Sequence, residues 1–437
     1  MTYSEAVNYL YNSTPLFQNK GEKAYKEGLE NTLLLDGHTG SPHKLFKTVH
    51  VAGTNGKGSV THTLAAILQL SGLKTGLYTS PHLLDFRERI RVNGTPVHPS
   101  FVIRFIEENR SFFEPLHPSF FEVATAMAFS WFAEQEVDVA VIETGLGGRL
   151  DCTNIIRPVL SVITNIGFDH MKFLGNTLAE IAGEKAGIMK PGIPVVIGEH
   201  CDETRPVFEN KAGEVGAPIV FAQENCKIIS HKYLAPDKVI YETEELPGLQ
   251  SCLGGFCQEC NANTILTAVG ILREKGFRIS DRDIRDGFAD VCRMTGLRGR
   301  WQKLSDRPRI ICDTGHNSHG IRYIAQQLEQ IKSEPGFGTL RIVLGMVSDK
   351  DISTVLDLLP KDARYYFTQA SVERAMDSNR LQELARAAGL KGNAYRGVPQ
   401  AVQSARSEAL PEDLIFVGGS TFVVADLLTM PEFFIQA

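Results

Sequence analysis

A lysine, a serine and three glycines stand together near the N-terminal end of the chain, in a pattern that can bind phosphate. Residues 49–59 read V-H-V-A-G-T-N-G-K-G-S, between a β-branched run and an apolar, helix-like run. A strand, a glycine turn and a helix in that order direct backbone N–H groups at an anion. Lys57 adds a mobile positive charge, and Ser59 adds a hydroxyl that can ligate Mg²⁺. The predicted nucleoside triphosphate loop consists of Gly53, Thr54, Asn55, Gly56, Lys57, Gly58 and Ser59.

This loop departs from the general phosphate-loop pattern G-x-x-x-x-G-K-[ST]. Val51 stands where the first glycine is usual, and Gly58 separates Lys57 from Ser59. The alternative is a glycine-rich turn that binds nothing. We favour the phosphate site, because a bare turn has no need of a lysine and a serine beside three glycines at a helix start.

Two further segments place ionisable residues at the ends of predicted strands. The run D-V-A-V-I-E ends in Glu143, a position suited to holding Mg²⁺ beside a phosphate loop, or to capping a turn or pairing with Arg149. The segment 162–170 ends in Asp169 and His170, which could coordinate a metal or water. A lone histidine is more often structural, so both interpretations of His170 stay open.

Residues 178–191 predict a helix that ends at a proline. Lys185 and Lys190 lie near its C-terminus, where positive charge complements the helix dipole. Periodicity alone assigns no catalytic role to Lys185.

A third polar segment, C-D-T-G-H-N-S-H-G, follows a strand in the C-terminal part of the chain. Asp313 stands where Rossmann-like folds contact a nucleotide. His316 and His319 could contact phosphate, although the spacing also resembles a weak metal pattern. Arg298 and Arg300 are suited to phosphate recognition, or they form a solvated basic linker.

The elements that must position these residues alternate between strand and helix. Short β-rich runs are predicted at 48–52, 75–78, 138–143, 159–164, 194–198 and 218–221. Helices between them are predicted at 60–70, 99–113, 125–135, 178–189 and 204–213. Such alternation favours an α/β fold with a P-loop-type, mostly parallel sheet, whose ligands lie at the carboxyl ends of the strands.

The alternation resumes after an excursion. Short strands are predicted at 227–229 and 239–243, and helices at 259–274 and 281–290. Strands at 310–313, 340–344, 365–368 and 414–417 then alternate with helices at 320–331, 352–359 and 379–388. The boundary is placed near Gly296, which gives an N-terminal domain over 1–296 and a smaller Rossmann-like α/β domain over 297–437.

Composition excludes several classes of protein. The chain has 437 residues, 43% of them hydrophobic, and a formal net charge of −6, which argues against non-specific nucleic-acid binding. It shows no signal peptide and no apolar run of membrane-spanning length, so we expect a cytoplasmic protein with no membrane partner. We expect the eight cysteines to be reduced. Cys257-x-x-Cys260 could be half of a zinc site or a redox pair, but we favour its interpretation as small apolar residues near a helix start.

The motifs together resemble one family. The chain is similar, from about Tyr9 to Phe422, to the folylpolyglutamate synthase and dihydrofolate synthase family, a branch of the Mur-ligase-like ATP-dependent amide ligases. H-V-A-G-T-N-G-K-G-S-V resembles the variant phosphate loop of that family. The agreement extends, in order, to T-S-P-H-L at 79–83, F-R-E-R-I at 86–90, G-L-G-G-R-L-D at 145–151, the segment 163–170 and E-K-A-G-I at 184–188.

The resemblance implies roles for particular residues. Lys57 and the loop glycines would hold ATP phosphates, and Ser59, Glu143 and His170 would ligate Mg²⁺. Lys185 matches a lysine that is carbamylated in the family, and its carbamate would ligate a second Mg²⁺. The remaining nucleotide contacts implied are Asn261, Arg300, Asp313 and His316. The substrate contacts implied are Thr79, Ser80, Pro81, His82, Arg89, Arg149 and Asp151.

Some positions depart from the family pattern. The usual D-G-A-H-N-P is here D-T-G-H-N-S, so Thr314, Gly315 and Ser318 differ while Asp313 and His316 remain. The usual A-T-N is here C-T-N at 152–154, so that Cys152 replaces the alanine. Arg298 stands where the family commonly has a proline. Every proposed charged participant is nevertheless present.

The activity implied is ATP-dependent ligation of L-glutamate to a folate or dihydropteroate carboxylate through an acyl phosphate. We expect a bifunctional dihydrofolate synthase and folylpolyglutamate synthase that acts as a monomer on small-molecule substrates. A monofunctional folylpolyglutamate synthase is an open alternative. A kinase that leaves phosphate on its product and a nucleotide-binding regulator are alternatives from other classes.

Overall fold

The structure, a computed structural model, describes residues 1–13, 28–348 and 352–434. The chain divides into two compact units, each made of three pieces of chain. The first unit comprises Met1–His231, Tyr241–Gln250 and Glu259–Leu297. The second comprises Lys232–Ile240, Ser251–Gln258 and Arg298–Ala437.

The first unit is built on an eight-stranded sheet with the order β4-β3-β2-β5-β1-β6-β7-β8. Its strands are β1 (Lys47–Ala52), β2 (Thr75–Tyr78), β3 (Ile90–Val92), β4 (Thr95–Pro96), β5 (Val139–Glu143), β6 (Leu160–Ile163), β7 (Val195–Ile197) and β8 (Ile219–Phe221). The neighbouring strands β2, β5, β1, β6, β7 and β8 pair in parallel. The strands β3 and β4 extend the sheet beyond β2 as an antiparallel edge. All of β2, β5, β6 and β7 is buried, which explains the near-continuous apolar runs in their sequences. The predicted mostly parallel sheet is confirmed.

Helices cover this sheet and carry several of the candidate site residues. They are α1 (Tyr3–Ser13), α2 (Glu30–His38), α3 (Lys57–Leu70), α4 (Pro99–Phe113), α5 (Phe120–Glu134), α6 (Met171–Leu174), α7 (Leu178–Ala186), α8 (Arg205–Val215), α9 (Gln258–Glu274) and α10 (Asp281–Thr295). The helix α3 is buried on nearly every side, because it lies between the sheet and α10. The backbone of Gly287 in α10 comes so close to α3 that an added Cβ would lie 2.6 Å from Ile67 Cγ1.

A small sheet and the second α/β sheet complete the fold. The small sheet has the order β11-β10-β9, with β9 (Ile228–Ala235), β10 (Lys238–Thr243) and β11 (Leu249–Ser251). The second unit has the order β12-β13-β17-β14-β15-β16, in which only β12 runs antiparallel to its neighbour. Its strands are β12 (Gln302–Asp306), β13 (Arg309–Asp313), β14 (Leu340–Leu344), β15 (Arg364–Phe367), β16 (Lys391–Ala394) and β17 (Leu414–Gly418). Its helices are α11 (Ser318–Lys332), α12 (Ile352–Leu358), α13 (Ser378–Ala387), α14 (Val398–Ser407) and α15 (Thr421–Leu428).

Several element ends differ from the sequence predictions. The helix α3 begins at Lys57 rather than residue 60, because Gly56 in the left-handed region ends the loop and starts the helix. The helix α5 begins at Phe120 rather than residue 125, because Ser119 and Glu122 form a capping box. The helix α10 runs to Thr295 rather than residue 290 and ends at Gly296 in the left-handed region.

The described residues also contain elements that were not predicted. These are the helices α1, α2, α6, α14 and α15 and the strands β3, β4, β11, β12 and β16. None of the eight cysteines forms a disulfide in the described residues, and none of the described helices is both long and apolar enough to cross a membrane.

Candidate active site

The predicted phosphate loop lies between β1 and α3, and its backbone leaves no space for side chains at two glycines. Gly53 has φ +147°, and a Cβ there would lie 1.8 Å from the Thr164 hydroxyl oxygen. Gly56 has φ +81°, and a Cβ there would lie 2.2 Å from Asn261 Oδ1. The predicted nucleotide residue Asn261, on α9, is therefore in contact with the loop. The loop ends at the N-terminus of α3, where the helix dipole and the backbone N–H groups of the first turn favour a bound anion.

The segment after β6 holds the phosphate loop in place. The backbone N–H of Thr54 donates to the Asn165 carbonyl at 2.9 Å, and that of Asn55 donates to the Asn165 side chain at 2.9 Å. Thr54 Oγ1 donates to the Gly167 carbonyl at 3.1 Å, and Thr164 Oγ1 donates to the Asn55 carbonyl at 2.5 Å. Sequence reasoning did not assign these roles to Thr164 and Asn165. The available signal was a polar Thr-Asn pair at a strand end.

Two lysine side chains converge on one carbonyl oxygen of the loop. Lys57 Nζ donates to the carbonyls of Gly53 and Thr54 at 3.0 and 3.1 Å. Lys185 Nζ, from α7, donates to the same Gly53 carbonyl at 2.9 Å. Lys185 is 3% exposed, and burial, together with the nearby charge of Lys57, lowers the pKa of its amine to about 7. An amine with a pKa of about 7 has a substantial neutral, nucleophilic fraction near neutral pH.

The proposed metal ligands lie at the same edge of the sheet. Glu143 ends β5, pairs in register with Val51 of β1 and is buried, and its Oε2 accepts the Ser80 N–H at 3.3 Å. Ser59 is buried in the first turn of α3. His170 is the N-cap residue directly before α6 and has a left-handed backbone with φ +50°, and its backbone N–H donates to the Asp169 carboxylate at 2.8 Å.

The donor chemistry of this set fits Mg²⁺, which prefers oxygen ligands and keeps several waters. In the described part of the chain, no three His, Cys, Asp or Glu side chains form a group that could hold a metal alone. The set proposed from the sequence contains one carboxylate and one imidazole, so the Ser59 hydroxyl and a modified Lys185 would have to supplement them. The buried oxygen atoms of Glu143 and Ser59 can supply such ligands.

The T-S-P-H-L segment follows β2, and its residues Thr79, Ser80, Pro81 and His82 lie on a loop tied to Arg89. The Thr79 N–H donates to the Arg89 carbonyl at 3.0 Å, and the Ser80–Pro81 peptide is cis. Arg89 Nε donates to His82 Nδ1 at 2.8 Å, so that nitrogen carries no proton. His82 Nε2 lies 3.1 Å from the Tyr11 hydroxyl of α1. Burial and the charge of Arg89 lower the pKa of His82 well below its usual value, in agreement with a neutral ring.

Arg89 is only 3% exposed, yet no carboxylate of the described residues forms an ion pair with it. The two acids of its own segment are engaged elsewhere. Glu88 accepts the backbone N–H groups of Leu83, Leu84 and Asp85 at 2.8–3.0 Å, and Asp85 pairs with Arg87 at 2.9 Å. A buried cation without a carboxylate partner is suited to binding an anionic ligand.

Arg149 and Asp151 lie in different environments although both follow β5. The Arg149 side chain is 55% exposed and pairs with Glu184 at 2.8 Å. Asp151 is 5% exposed and accepts hydrogen bonds from the Leu146 N–H at 2.8 Å and from the Thr153 N–H at 3.0 Å. The structure thus gives Asp151 a role in organising this loop, and substrate contact by either residue stays a prediction.

The remaining predicted nucleotide residues belong to the second unit and form one cluster there. The Asp313 carboxylate accepts the N–H groups of Trp301 and Gly315, each at 2.7 Å. Burial raises the pKa of Asp313, and the nearby Arg300 opposes that shift. Arg300 donates to the Thr314 hydroxyl, and His316 Nδ1 lies 3.0 Å from the Thr314 carbonyl oxygen. Thr314, which departs from the family pattern, therefore connects Arg300 and His316.

The comparisons with known proteins agree with this architecture. Residues 51–244 match the Mur ligase middle domain, and residues 299–421 match the Mur ligase, glutamate ligase domain. A loop-bearing parallel sheet followed by a second α/β unit, matched by these two models, defines an ATP-dependent ligase of the Mur type.

Three individual proteins define the branch. The dihydrofolate synthase/folylpolyglutamate synthase of Bacillus subtilis is 32% identical over 92% of this chain and 94% of its own. The structure of E. coli FolC in complex with DHPP and ADP is 32% identical, has a TM-score of 0.82 and covers 98% of this chain and 97% of its own. The structure of a bifunctional folylpolyglutamate synthase/dihydrofolate synthase with Mn, AMPPNP and L-glutamate bound is 30% identical and has a TM-score of 0.79. The match covers 98% of this chain and 97% of the other. The chain belongs to the folylpolyglutamate synthase/dihydrofolate synthase family.

Proposed function

We propose that this ligase joins L-glutamate to the carboxylate of dihydropteroate and of reduced folates, and converts ATP to ADP and phosphate. The observation that carries the proposal is the glycine loop at the N-terminus of α3, with Lys57 and Lys185 converging on it. The similar proteins with ADP, or with AMPPNP and L-glutamate, support the same substrates.

The phosphate loop activates the acid substrate. Lys57 would exchange its carbonyl partners for phosphate oxygens, and the N–H groups of Gly56, Gly58 and Ser59 would surround the same anion. A substrate carboxylate oxygen attacks the γ-phosphorus, ADP leaves, and an acyl phosphate remains. The glutamate α-amine then attacks the activated carbonyl carbon, and phosphate leaves as the amine loses its proton.

We propose that Ser59, Glu143 and His170 hold one Mg²⁺ and that a carbamate on Lys185 contributes to a second. Mg²⁺ supplies positive charge beside the phosphoryl oxygens when it is bound. The neutral Lys185 amine can form an N–C bond with carbon dioxide and release one proton. The lowered pKa of this lysine supports that reaction, because only the neutral amine is nucleophilic.

The acid substrate is assigned to the segments after β2 and β5. Arg89 supplies a buried guanidinium that can bind a carboxylate. His82 holds this guanidinium in place, because its Nδ1 accepts a hydrogen bond from Arg89 Nε. Thr79, Ser80 and Pro81 shape the loop, and the 145–151 segment with Arg149 and Asp151 lines the pteroyl part. In the nucleotide site, Asn261 lies against the loop at Gly56. Arg300, Asp313 and His316 keep their proposed nucleotide roles.

The test supplies each acceptor separately and measures incorporation of radiolabelled glutamate together with ADP release. We expect product with dihydropteroate and with tetrahydrofolate, each dependent on ATP and Mg²⁺. Product from tetrahydrofolate but not from dihydropteroate would show that the enzyme is a monofunctional folylpolyglutamate synthase. ADP release without glutamate, together with a stable phosphorylated product, would overturn the ligase proposal in favour of a kinase.

A matched pair of variants connects the activity to the loop. Lys57→Ala should lower ADP release by about a hundredfold or more, because the variant lacks the charge that stabilises the transferring phosphoryl group. Lys172→Ala changes an exposed lysine in the nearby α6 and should retain turnover. Equal turnover in both variants would disprove the assignment of the loop.

A further inference from the structure

A chain of hydrogen bonds runs from the interior of β1 to the loop after β5. His50 is fully buried, three residues before Gly53, and its Nε2 lies 2.8 Å from Thr153 Oγ1. Thr153 is also fully buried, and its Oγ1 lies 2.5 Å from Asp151 Oδ1. Asp151 continues the chain by accepting the Leu146 N–H at 2.8 Å. None of these contacts was anticipated from the sequence.

The direction of these hydrogen bonds follows from the number of hydrogens. Backbone N–H groups of Leu146 and Thr153 donate to the two oxygens of Asp151, so the carboxylate is an acceptor. The single hydroxyl hydrogen of Thr153 therefore points at Asp151, and the Thr153 oxygen must accept from His50. The His50 ring consequently carries its proton on Nε2. Its Nδ1 has no hydrogen-bond partner in the described residues, which suits a nitrogen without a hydrogen.

The loop that this chain of bonds fixes also packs on the helix that carries Lys185. The Arg149 N–H donates to the Glu184 carbonyl at 2.8 Å. Gly148 comes so close that an added Cβ would lie 2.9 Å from the Lys185 carbonyl oxygen. The hydrogen bond of His50 therefore anchors the 145–154 loop to the central strand β1.

We propose that His50 is a positioning residue for the acid substrate: by donating to Thr153 it fixes the 145–154 loop in its binding conformation. The inference rests on the proposed function, since that function assigns this loop to the pteroyl part of the substrate. Loss of the donated bond releases the loop and raises the KM for the acid. The phosphate loop keeps its own contacts with Thr164 and Asn165, so the KM for ATP is retained.

Two pairs of conservative substitutions test the proposal. The amide nitrogen of His50→Gln reaches the position of Nε2, whereas that of His50→Asn falls near Nδ1. Thr153→Ser keeps the hydroxyl, and Thr153→Val removes it with little change of shape. We expect about a tenfold rise in the KM for dihydropteroate in His50→Asn and Thr153→Val, as loss of one buried hydrogen bond implies. In His50→Gln and Thr153→Ser the KM for dihydropteroate should stay close to that of the wild type. In all four variants the KM for ATP should change less than about twofold.

A matched control separates positioning from general stability. His62 is also a buried histidine bonded to a threonine, with Nδ1 2.8 Å from Thr295 Oγ1, but it joins α3 to α10. His62→Gln, whose amide nitrogen falls near Nε2 and not near the bonded Nδ1, should lower the urea midpoint of unfolding without raising the KM for the acid. Equal KM values in His50→Asn and His50→Gln, or a matching rise in the KM for ATP, would overturn the proposal.

A measurement on the wild-type protein does not depend on activity or on the folding of a variant. Nitrogen NMR of ¹⁵N-histidine-labelled protein, with His50 assigned from the spectrum of His50→Gln, should show the neutral ring protonated at Nε2. A proton on Nδ1 would overturn the proposal. If wild-type protein makes no glutamate adduct while this tautomer is present, the proposed function fails and the hydrogen-bond chain stands.

Discussion

The environment of Lys185 makes the stability of the first unit depend on pH in a way that one substitution can reveal. Lys185→Met replaces the buried amine with an apolar side chain of similar length. Folding lowers the pKa of Lys185 from 10.5 to about 7, so the unfolded chain binds a proton that the folded chain releases between these values. Below about pH 7 both states are protonated, and the folded state bears the full cost of the buried charge. Stability should therefore rise with pH from about 7 to about 10.5 in the wild type, and this rise should be absent from the variant.

The size of the effect follows from the pKa difference. One proton held only by the unfolded state changes the free energy of unfolding by about 1.4 kcal/mol per pH unit. The full difference of 10.5 − 7, or about 3.5 units, corresponds to about 5 kcal/mol. Between about pH 7.5 and about pH 9.5, the advantage of Lys185→Met over the wild type should shrink by about 2–3 kcal/mol.

Urea unfolding followed by tryptophan fluorescence measures this difference. The chain has two tryptophans, Trp131 in the first unit and Trp301 in the second, so Trp301→Phe in both compared proteins isolates the first unit. Buffers free of carbon dioxide keep Lys185 unmodified. Lys275→Met, at an exposed lysine of the same unit, is the control and should show no such pH dependence. A stability difference that is constant over this pH range would show that Lys185 stays charged when folded, and would refute the argument for a reactive amine.

Three further predictions concern binding and turnover. Lys57→Ala should lower kcat for ADP release by about a hundredfold or more, measured at saturating ATP, and a change below about threefold would contradict the role of its charge. Gly56→Ala should weaken ADP binding in calorimetry, because the new Cβ would lie 2.2 Å from Asn261 Oδ1. The control Gly270→Ala, on an open face of α9, should leave ADP binding unchanged. Equal ADP affinities in the two variants would show that the loop geometry is irrelevant. Arg89→Gln should raise the KM for the acid substrate about tenfold or more at unchanged ADP affinity, and an unchanged KM would remove the carboxylate assignment.

Much of the first sheet was predictable because its strands are buried on both faces. A strand such as β5 must be apolar throughout, so V-A-V-I-E is recognisable without knowledge of its neighbours. The polar residue that ends such a run must lie at the carboxyl edge, which identifies Glu143. The helix starts were less accurate, although the Ser119 and Glu122 capping box of α5 is visible in the sequence.

The short and partly exposed elements were not predictable in the same way. The strand β16 reads K-G-N-A and owes its conformation to pairing with β15 rather than to its own composition. The helix α1 is anchored by contacts far along the chain, such as that of the Tyr3 hydroxyl with Asp85 at 2.7 Å. Such long-range contacts leave no periodic signal in the sequence.

The candidate site was predictable in residue types but not in the direction of the side chains. Asp151 reads like a ligand-binding acid, yet it turns inward to hold its own loop. His50 reads like one polar residue inside an apolar strand, and only the fold shows that Thr153 lies beside it. The register of loops against strands decides such pairs, and a single sequence does not encode that register locally.

The sharing of one Gly53 oxygen by the Lys57 and Lys185 side-chain nitrogens has a consequence for the order of events. A polyanion that settles beside Lys57 favours the protonated form of Lys185, so its arrival should be accompanied by proton uptake. Carbon dioxide, in contrast, needs the deprotonated amine. Carbamylation should therefore be faster in the resting enzyme than in the nucleotide complex, and preincubation with bicarbonate before ATP should shorten the lag of the first turnovers.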